Sequence, residues 1–147
     1  MTARIFVDTN VLVYARDSSE RTKQRRAQSW LEVLWRDRTG RISSQVLHEY
    51  YITVTRKLKP GLRPEEARED VRDLLAWNPV PLSAELLEEA WLVEDRFSLS
   101  FWDSLIVSAA RTSECQFLLS EDMQHSQRLD RLTVIDPFEV DPATFKA

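Results

Sequence analysis

The chain has 147 residues, 43% hydrophobic and 30% charged, with only 2 glycines and 6 prolines; this is the makeup of one folded domain, 1–147, and excludes a disordered or fibrous chain. No apolar run approaches the roughly 20 residues that span a bilayer, and the opening Met-Thr-Ala-Arg-Ile-Phe-Val-Asp turns polar too early for a secretory signal, so the expectation is a cytoplasmic protein without membrane contact. The net charge of −4 is uneven, with 13 Lys/Arg against 6 Asp/Glu in residues 1–63 and 7 against 18 in residues 64–147, a total that disfavours tight non-specific nucleic-acid binding.

Arg21, Lys23, Arg25, Arg26, Arg56, Lys57 and Lys59 of the basic first half can meet phosphates locally or serve as solvated helix faces. A single cysteine, Cys115, excludes an internal disulfide and a cysteine zinc site. The two glycines, Gly40 and Gly61, cannot build a GxGxxG turn or a P-loop, which removes nucleotide binding through a glycine-rich phosphate cradle.

In chain order, Arg4-Ile-Phe-Val7 is a short β-rich run that ends in the turn-forming Asp8-Thr9-Asn10. Ala27, Trp30, Leu31, Leu34 and Trp35 recur at helical spacing and predict a helix over 20–36, stopped by Gly40. Ser43 or Ser44 caps a helix reaching about Leu58, with Val46, Tyr50, Thr53 and Val54 on one side and Glu49 on its length. Pro64-Glu65-Glu66 is a suitable first turn for a helix ending near Trp77.

Pro79-Val-Pro-Leu82 predicts a short edge strand, and Ser83 starts a helix with Leu86, Ala90, Val93 and Phe97 as its apolar stripe. A helix from Ser100 follows, with Trp102, Leu105, Ile106, Ala109 and Ala110 as its expected buried face. Gln116–Leu119 and Thr133–Ile135 read as two more strands. Alternating strands and helices predict an α/β fold of three layers, with a mainly parallel sheet between helices, because parallel strands need crossovers.

Ligands of such sheets sit beyond the carboxyl ends of the strands. Asp8 directly follows the first strand and Asp122 follows Phe117–Leu119 by way of Ser120-Glu121, so two acids arrive at one edge. Glu49 has Val46 three residues before it and borders an apolar face, and Asp103 lies inside the most apolar helix, Phe101–Val107. Acids in such places need partners.

Four carboxylates drawn to within ~5 Å would repel by roughly 3 kcal/mol per pair at an effective dielectric near 20, so they would hold protons or bind cations. All-oxygen donors select Mg²⁺ or Mn²⁺, and His48 and His125 are too few and too far apart for a histidine motif. Each acid also has a local explanation. Asp8 and Asp122 could cap turns, Ser100–Asp103 could be a capping box, and Glu49 could pair with Arg56 or another base. Those explanations do not account for acids at strand ends and on apolar helix faces together.

Ile5-Phe-Val-Asp8-Thr-Asn10-Val-Leu-Val-Tyr14, Ser44-Gln-Val-Leu-His-Glu49-Tyr-Tyr, Ser100-Phe-Trp-Asp103-Ser-Leu-Ile-Val-Ser-Ala-Ala110 and Leu118-Leu-Ser-Glu-Asp122-Met resemble, in order and spacing, the PIN-domain family and its VapC-type ribonuclease toxins of VapBC toxin–antitoxin modules. The resemblance covers nearly the whole chain. It implies a PIN-like fold and metal-dependent hydrolysis of RNA, with Asp8, Glu49, Asp103 and Asp122 as catalytic and Mg²⁺ or Mn²⁺ ligands. Asn10 and Ser120 match accompanying polar positions and Thr9 is grouped with them, to contact substrate or support the acids. An antitoxin partner and a homodimer are implied as well. Glu121 competes with Asp122 for the last position, which the Ser-x-Asp pattern gives to Asp122, and Ser126 stands where relatives often have glycine. Two other readings compete. One is a phosphatase with Asp8 as nucleophile, for which Asn10 is a poor second acid. The other is a silent binding module that offers Trp30, Leu31, Leu34 and Trp35 to a partner helix.

Overall fold

The structure is a computed structural model that describes residues 3–145, so the first and last two residues of the expected 1–147 domain lie outside it. Five strands form one sheet in the order β2-β1-β3-β5-β4: β1 is Ile5–Val7, β2 Gly40–Arg41, β3 Phe117–Leu119, β4 Arg128–Leu129 and β5 Leu132–Ile135. β2, β1, β3 and β5 run parallel, and β4 closes antiparallel onto β5. Phe6, Val7, Leu118, Leu119 and Val134 are fully buried, as continuous apolar strands covered by helices must be.

Among the described residues, six α-helices pack around the sheet: α1 Thr9–Tyr14, α2 Arg21–Asp37, α3 Ser44–Ile52, α4 Pro64–Leu74, α5 Ala84–Phe97 and α6 Phe101–Thr112. Ser43, Ser83 and Ser100 cap α3, α5 and α6, each hydroxyl accepting the backbone N–H three residues on. A π-helical turn, Thr53–Lys57, extends α3 toward the expected limit at Leu58, and a 3₁₀ turn, Leu75–Trp77, extends α4. Trp30 and Leu34 are core residues, and the Trp30 indole donates to the carbonyls of Pro137 and Val140, both at 3.0 Å. These two are therefore unavailable to a partner helix.

Four expectations need correction. Gly40 does not stop α2; Arg38 ends it in the left-handed region at φ 58°, and Gly40 starts β2 because a Cβ there would lie 2.6 Å from the Trp77 ring. The expected strand Pro79–Leu82 reduces to one bridge from Val80 to Ser43, since Pro79 and Pro81 have no N–H to give a ladder. Trp102 leaves the buried face of α6 and is 63% exposed, because it sits on the first turn, beyond the reach of the packed neighbours of Leu105 and Ile106. Glu49 is exposed on α3 and does not border the core.

The helix Thr9–Tyr14 and the strands β2 and β4 were not expected. Six residues is too short a run for a helical period to declare itself, and strands of two residues carry no alternation. With two glycines in the chain, the left-handed backbone positions fall to other residues: Arg38, Asn78, Ser98, Glu114, Ser126 and Asp130. Ser126 thus adopts, at φ 66°, the conformation for which glycine is the usual choice, and its N–H donates to Val134 O at 2.8 Å.

Candidate active site

The carboxyl ends of β1 and β3 are neighbours, and the chain leaves β1 toward β2 on one side while β3 lies on the other, the position at which open α/β sheets bind ligands. The ladder runs to the last residue of each strand: Asp8 N–H donates to Leu119 O and Ser120 N–H to Ile135 O, both at 3.0 Å. Asp8 and Ser120 are therefore fixed by backbone, side by side, as the first residues beyond the sheet.

Asp8 is buried and caps α1, accepting the Thr9 N–H at 2.7 Å. Its other oxygen accepts the Ser120 hydroxyl at 2.8 Å and the Asn10 amide at 3.3 Å. The same Asn10 amide reaches Asp122 at 3.2 Å, the Asp122 N–H donates to Ser120 Oγ at 3.2 Å, and the Asn10 carbonyl accepts the Glu121 N–H at 3.1 Å. Asn10 and Ser120 thus connect the two carboxylates. The capping role foreseen as an alternative for Asp8 coexists with this network.

Glu49 accepts the Thr9 hydroxyl at 2.9 Å and the Gln45 amide at 3.5 Å; Arg56 is not its partner. Asp103 gives its N–H to the Ser100 hydroxyl at 3.1 Å, and it lines the same cleft of about 680 Å³ as Asp8, Thr9, Asn10, Glu49 and Asp122. Glu121 turns elsewhere, held by Tyr14 OH at 3.0 Å and by an ion pair with Lys23. That separates it from Asp122. Lys23 is thereby engaged, and of the basic residues singled out in the first half, Lys57 lines the cleft.

Burial pushes the Asp8 carboxyl up to about 6, with the charges of Asp122 and Glu49 adding to it and the hydrogen bonds from Ser120 and the Thr9 amide opposing it. Asp103 is also raised, by burial first and by the charge of Asp122, against its hydrogen bond with Ser100. Among the described residues, no Lys, Arg or His forms an ion pair with any of the four acids. Nor do any three His, Cys, Asp or Glu side chains there form a ready-made metal cage. The donor set nonetheless fits a hard divalent cation. It is all oxygen and lacks a cationic partner, and Mg²⁺ is usually held by one or two carboxylates with water completing the shell. His48 and His125 are occupied otherwise, the first on Ser44 O at 2.6 Å and the second accepting the Asp136 N–H at 3.0 Å.

Fold and site together define a parallel α/β domain with acids gathered beyond the carboxyl ends of its central strands. The sequence matches the PIN domain over residues 5–131, and the chain belongs to that family, a nuclease family that is typically metal-dependent. A search among curated proteins finds no match. Among solved structures, a toxin–antitoxin complex from Klebsiella pneumoniae is similar with a TM-score of 0.64 and 16% identity, covering 94% of this chain and 100% of that one. VapBC2 from Rickettsia felis, bound to a DNA fragment from its promoter, gives 0.60 at 20% identity over 88% and 96%. VapC20 of Mycobacterium tuberculosis, a toxin that cleaves the sarcin–ricin loop, gives 0.56 at 24% identity over 80% and 91%. At these identities the likeness is one of fold.

Proposed function

We propose that this chain is a metal-dependent endoribonuclease, the toxin of a type II toxin–antitoxin pair, acting as a single domain with Asp8, Glu49, Asp103 and Asp122 as its catalytic carboxylates. The observation that carries the proposal is the meeting of four acids in one cleft at the sheet's switch point with no cationic side chain in ion-pair contact among the described residues. Asp8, Asp103 and Asp122, with Glu49 directly or through water, would hold one or two Mg²⁺ or Mn²⁺ ions, which when bound supply orientation of a water for in-line attack and stabilisation of the leaving oxygen's charge.

The chain's own groups do the rest. Glu49, exposed and oriented by Thr9, accepts the proton of the attacking water. Asn10 and Ser120 hold Asp8 and Asp122 in register, so the acids need not reorganise when substrate enters. The toxin reading adds an antitoxin that covers the cleft, and a homodimer. Trp91 and Leu92, exposed on α5, are apolar surface of the kind that partners cover.

The test is cleavage of end-labelled structured RNA and single-stranded DNA with Mg²⁺, Mn²⁺ or EDTA, beside Asp103→Asn. RNA cleavage should need metal and should fall in the variant by more than the roughly 10- to 100-fold that loss of an outer-shell partner costs. Wild-type activity in Asp103→Asn would sink the site assignment, and a phosphoenzyme trapped on Asp8 would replace hydrolysis of RNA with phosphatase chemistry. A small neighbouring-gene product that co-purifies and suppresses cleavage is the expected antitoxin.

A further inference from the structure

Trp102 is large, apolar and 63% exposed, whereas Trp30 and Trp77 are buried at 1% and 2%. It stands one residue before Asp103 on the first turn of α6 and lines the cleft that holds the four acids. Its ring is steadied edge-to-face by Phe101, with centroids 5.3 Å apart at 69°, and Ile106, one turn on, lines the cleft beneath the same helix edge. Lys57 and His48 line that cleft as well, so the same cleft offers a flat π surface and a cation besides its carboxylates.

An acidic centre attracts no polyanion by its own field, so a nucleic-acid chain crossing it must be held by other contacts. A base stacked on an exposed indole supplies such a contact without charge. The base has to be unpaired, because within a duplex both of its faces are already covered by neighbours. We propose that Trp102 is the stacking platform for an unpaired base next to the scissile phosphate, a base-holding residue of this cleft one position before Asp103. This rests on the nuclease reading above and adds a base-holding residue to that same site.

The test is an abasic scan. A short single-stranded RNA is synthesised with one nucleotide at a time made abasic. Its affinity is measured in Ca²⁺ for wild type, Trp102→Ala, Trp102→Phe and Trp102→Leu, with cleavage in Mg²⁺ recorded separately and melting curves confirming that each variant folds. Stacking is worth about 1–3 kcal/mol per base, so Trp102→Ala should weaken binding by about 5- to 150-fold, and Trp102→Phe should keep most of the affinity that Trp102→Leu loses. In wild type one abasic position should cost the same factor, and in Trp102→Ala that position should cost nothing further. A hairpin stem of the same sequence should bind weakly to all four proteins.

A flat scan, an identical scan in wild type and Trp102→Ala, or full affinity in Trp102→Leu would overturn stacking. So would a change of molecular mass on Trp102→Ala, which would assign this face to a second copy. Cleavage that needs metal alongside a flat scan would remove the platform and leave the nuclease reading standing. Trp102-dependent binding without cleavage would do the reverse, and RNA neither bound nor cut would remove both.

Discussion

Asp8 is a carboxylate that the end of a buried strand keeps out of water, and its ionised form is tolerated in the fold at a cost. Because its carboxyl is raised to about 6 in the folded chain from 3.8, the ionised group opposes folding above pH 6. The penalty fades as the pH falls from 6 toward 4, where the carboxyl is protonated in both folded and unfolded states. Asp8→Asn removes this penalty but sets an amide NH2 against one of the donors that the carboxylate accepts from, so its stability relative to wild type in EDTA should rise between about pH 4 and pH 6 and level off above, as urea melts would read. The same variant should lose nuclease activity and any stabilisation by Mg²⁺.

Two of the four acids stand out in the sequence for a physical reason: a carboxylate directly after an apolar strand, or within an apolar helix, breaks the local pattern and needs a partner. Asp8 and Asp103 are legible on that ground. Glu49 was legible through the motif rather than through burial, since it proves exposed. The division of labour between Glu121 and Asp122 depends on Lys23 and Tyr14, which are 98 and 107 residues away from Glu121 in sequence, and local spacing carries no trace of such contacts. Trp102 was misread because helical periodicity reports which residues share a face and not where that face ends.

At the scale of elements, two junctions hold the helices around the cleft. Asp70 on α4 takes both a forked pair from Arg16, just beyond α1, at 2.6 and 2.9 Å, and the hydroxyl of Tyr50 on α3. Burial and the Asp70 bond together push the Tyr50 phenol up, so it stays a donor throughout the neutral range. Arg16 is 42% exposed, so the charge pair is discounted for solvent. Asp70→Ala should cost about 1–3 kcal/mol, chiefly through the buried Tyr50 hydroxyl left without an acceptor, since water can replace the partner of the exposed Arg16.

The second junction is β2 against the 3₁₀ turn. Gly40→Ala would press a methyl into the Trp77 ring and should cost about 1–3 kcal/mol, read as a lower urea midpoint at unchanged slope. Trp77→Phe in that background should recover part of the loss, because the smaller ring leaves space at the point of contact. Helices α2 to α6 were readable from their caps and stripes, but β2 and β4 were not. Two-residue strands exist only because a neighbour already supplies the ladder, which makes them consequences of the tertiary fold.

For the whole molecule, the sheet order places β1 and β3 together at the centre and sends helices around them, so that α1, α3 and α6 each deliver a group to one cleft. Among the described residues no helix is long and apolar enough to cross a membrane. Binding of a cation at the cleft should raise the melting temperature with its concentration, since ligand that binds the folded state alone stabilises it by mass action.

The left-handed positions carry a different consequence. Arg38 ends α2 and Ser98 ends α5 with side chains in a backbone region that costs L-residues about 1–2 kcal/mol each, and neither residue is among those lining the cleft. Arg38→Gly and Ser98→Gly should each stabilise by a few tenths to about 1 kcal/mol, the relief of strain being partly offset by glycine's greater freedom when unfolded. Calorimetry of the double variant would show the sum, the two sites belonging to different helices. Heat tolerance in this chain can therefore be tuned at its bends, independently of its chemistry, and a hardier protein with an untouched cleft is a few glycines away.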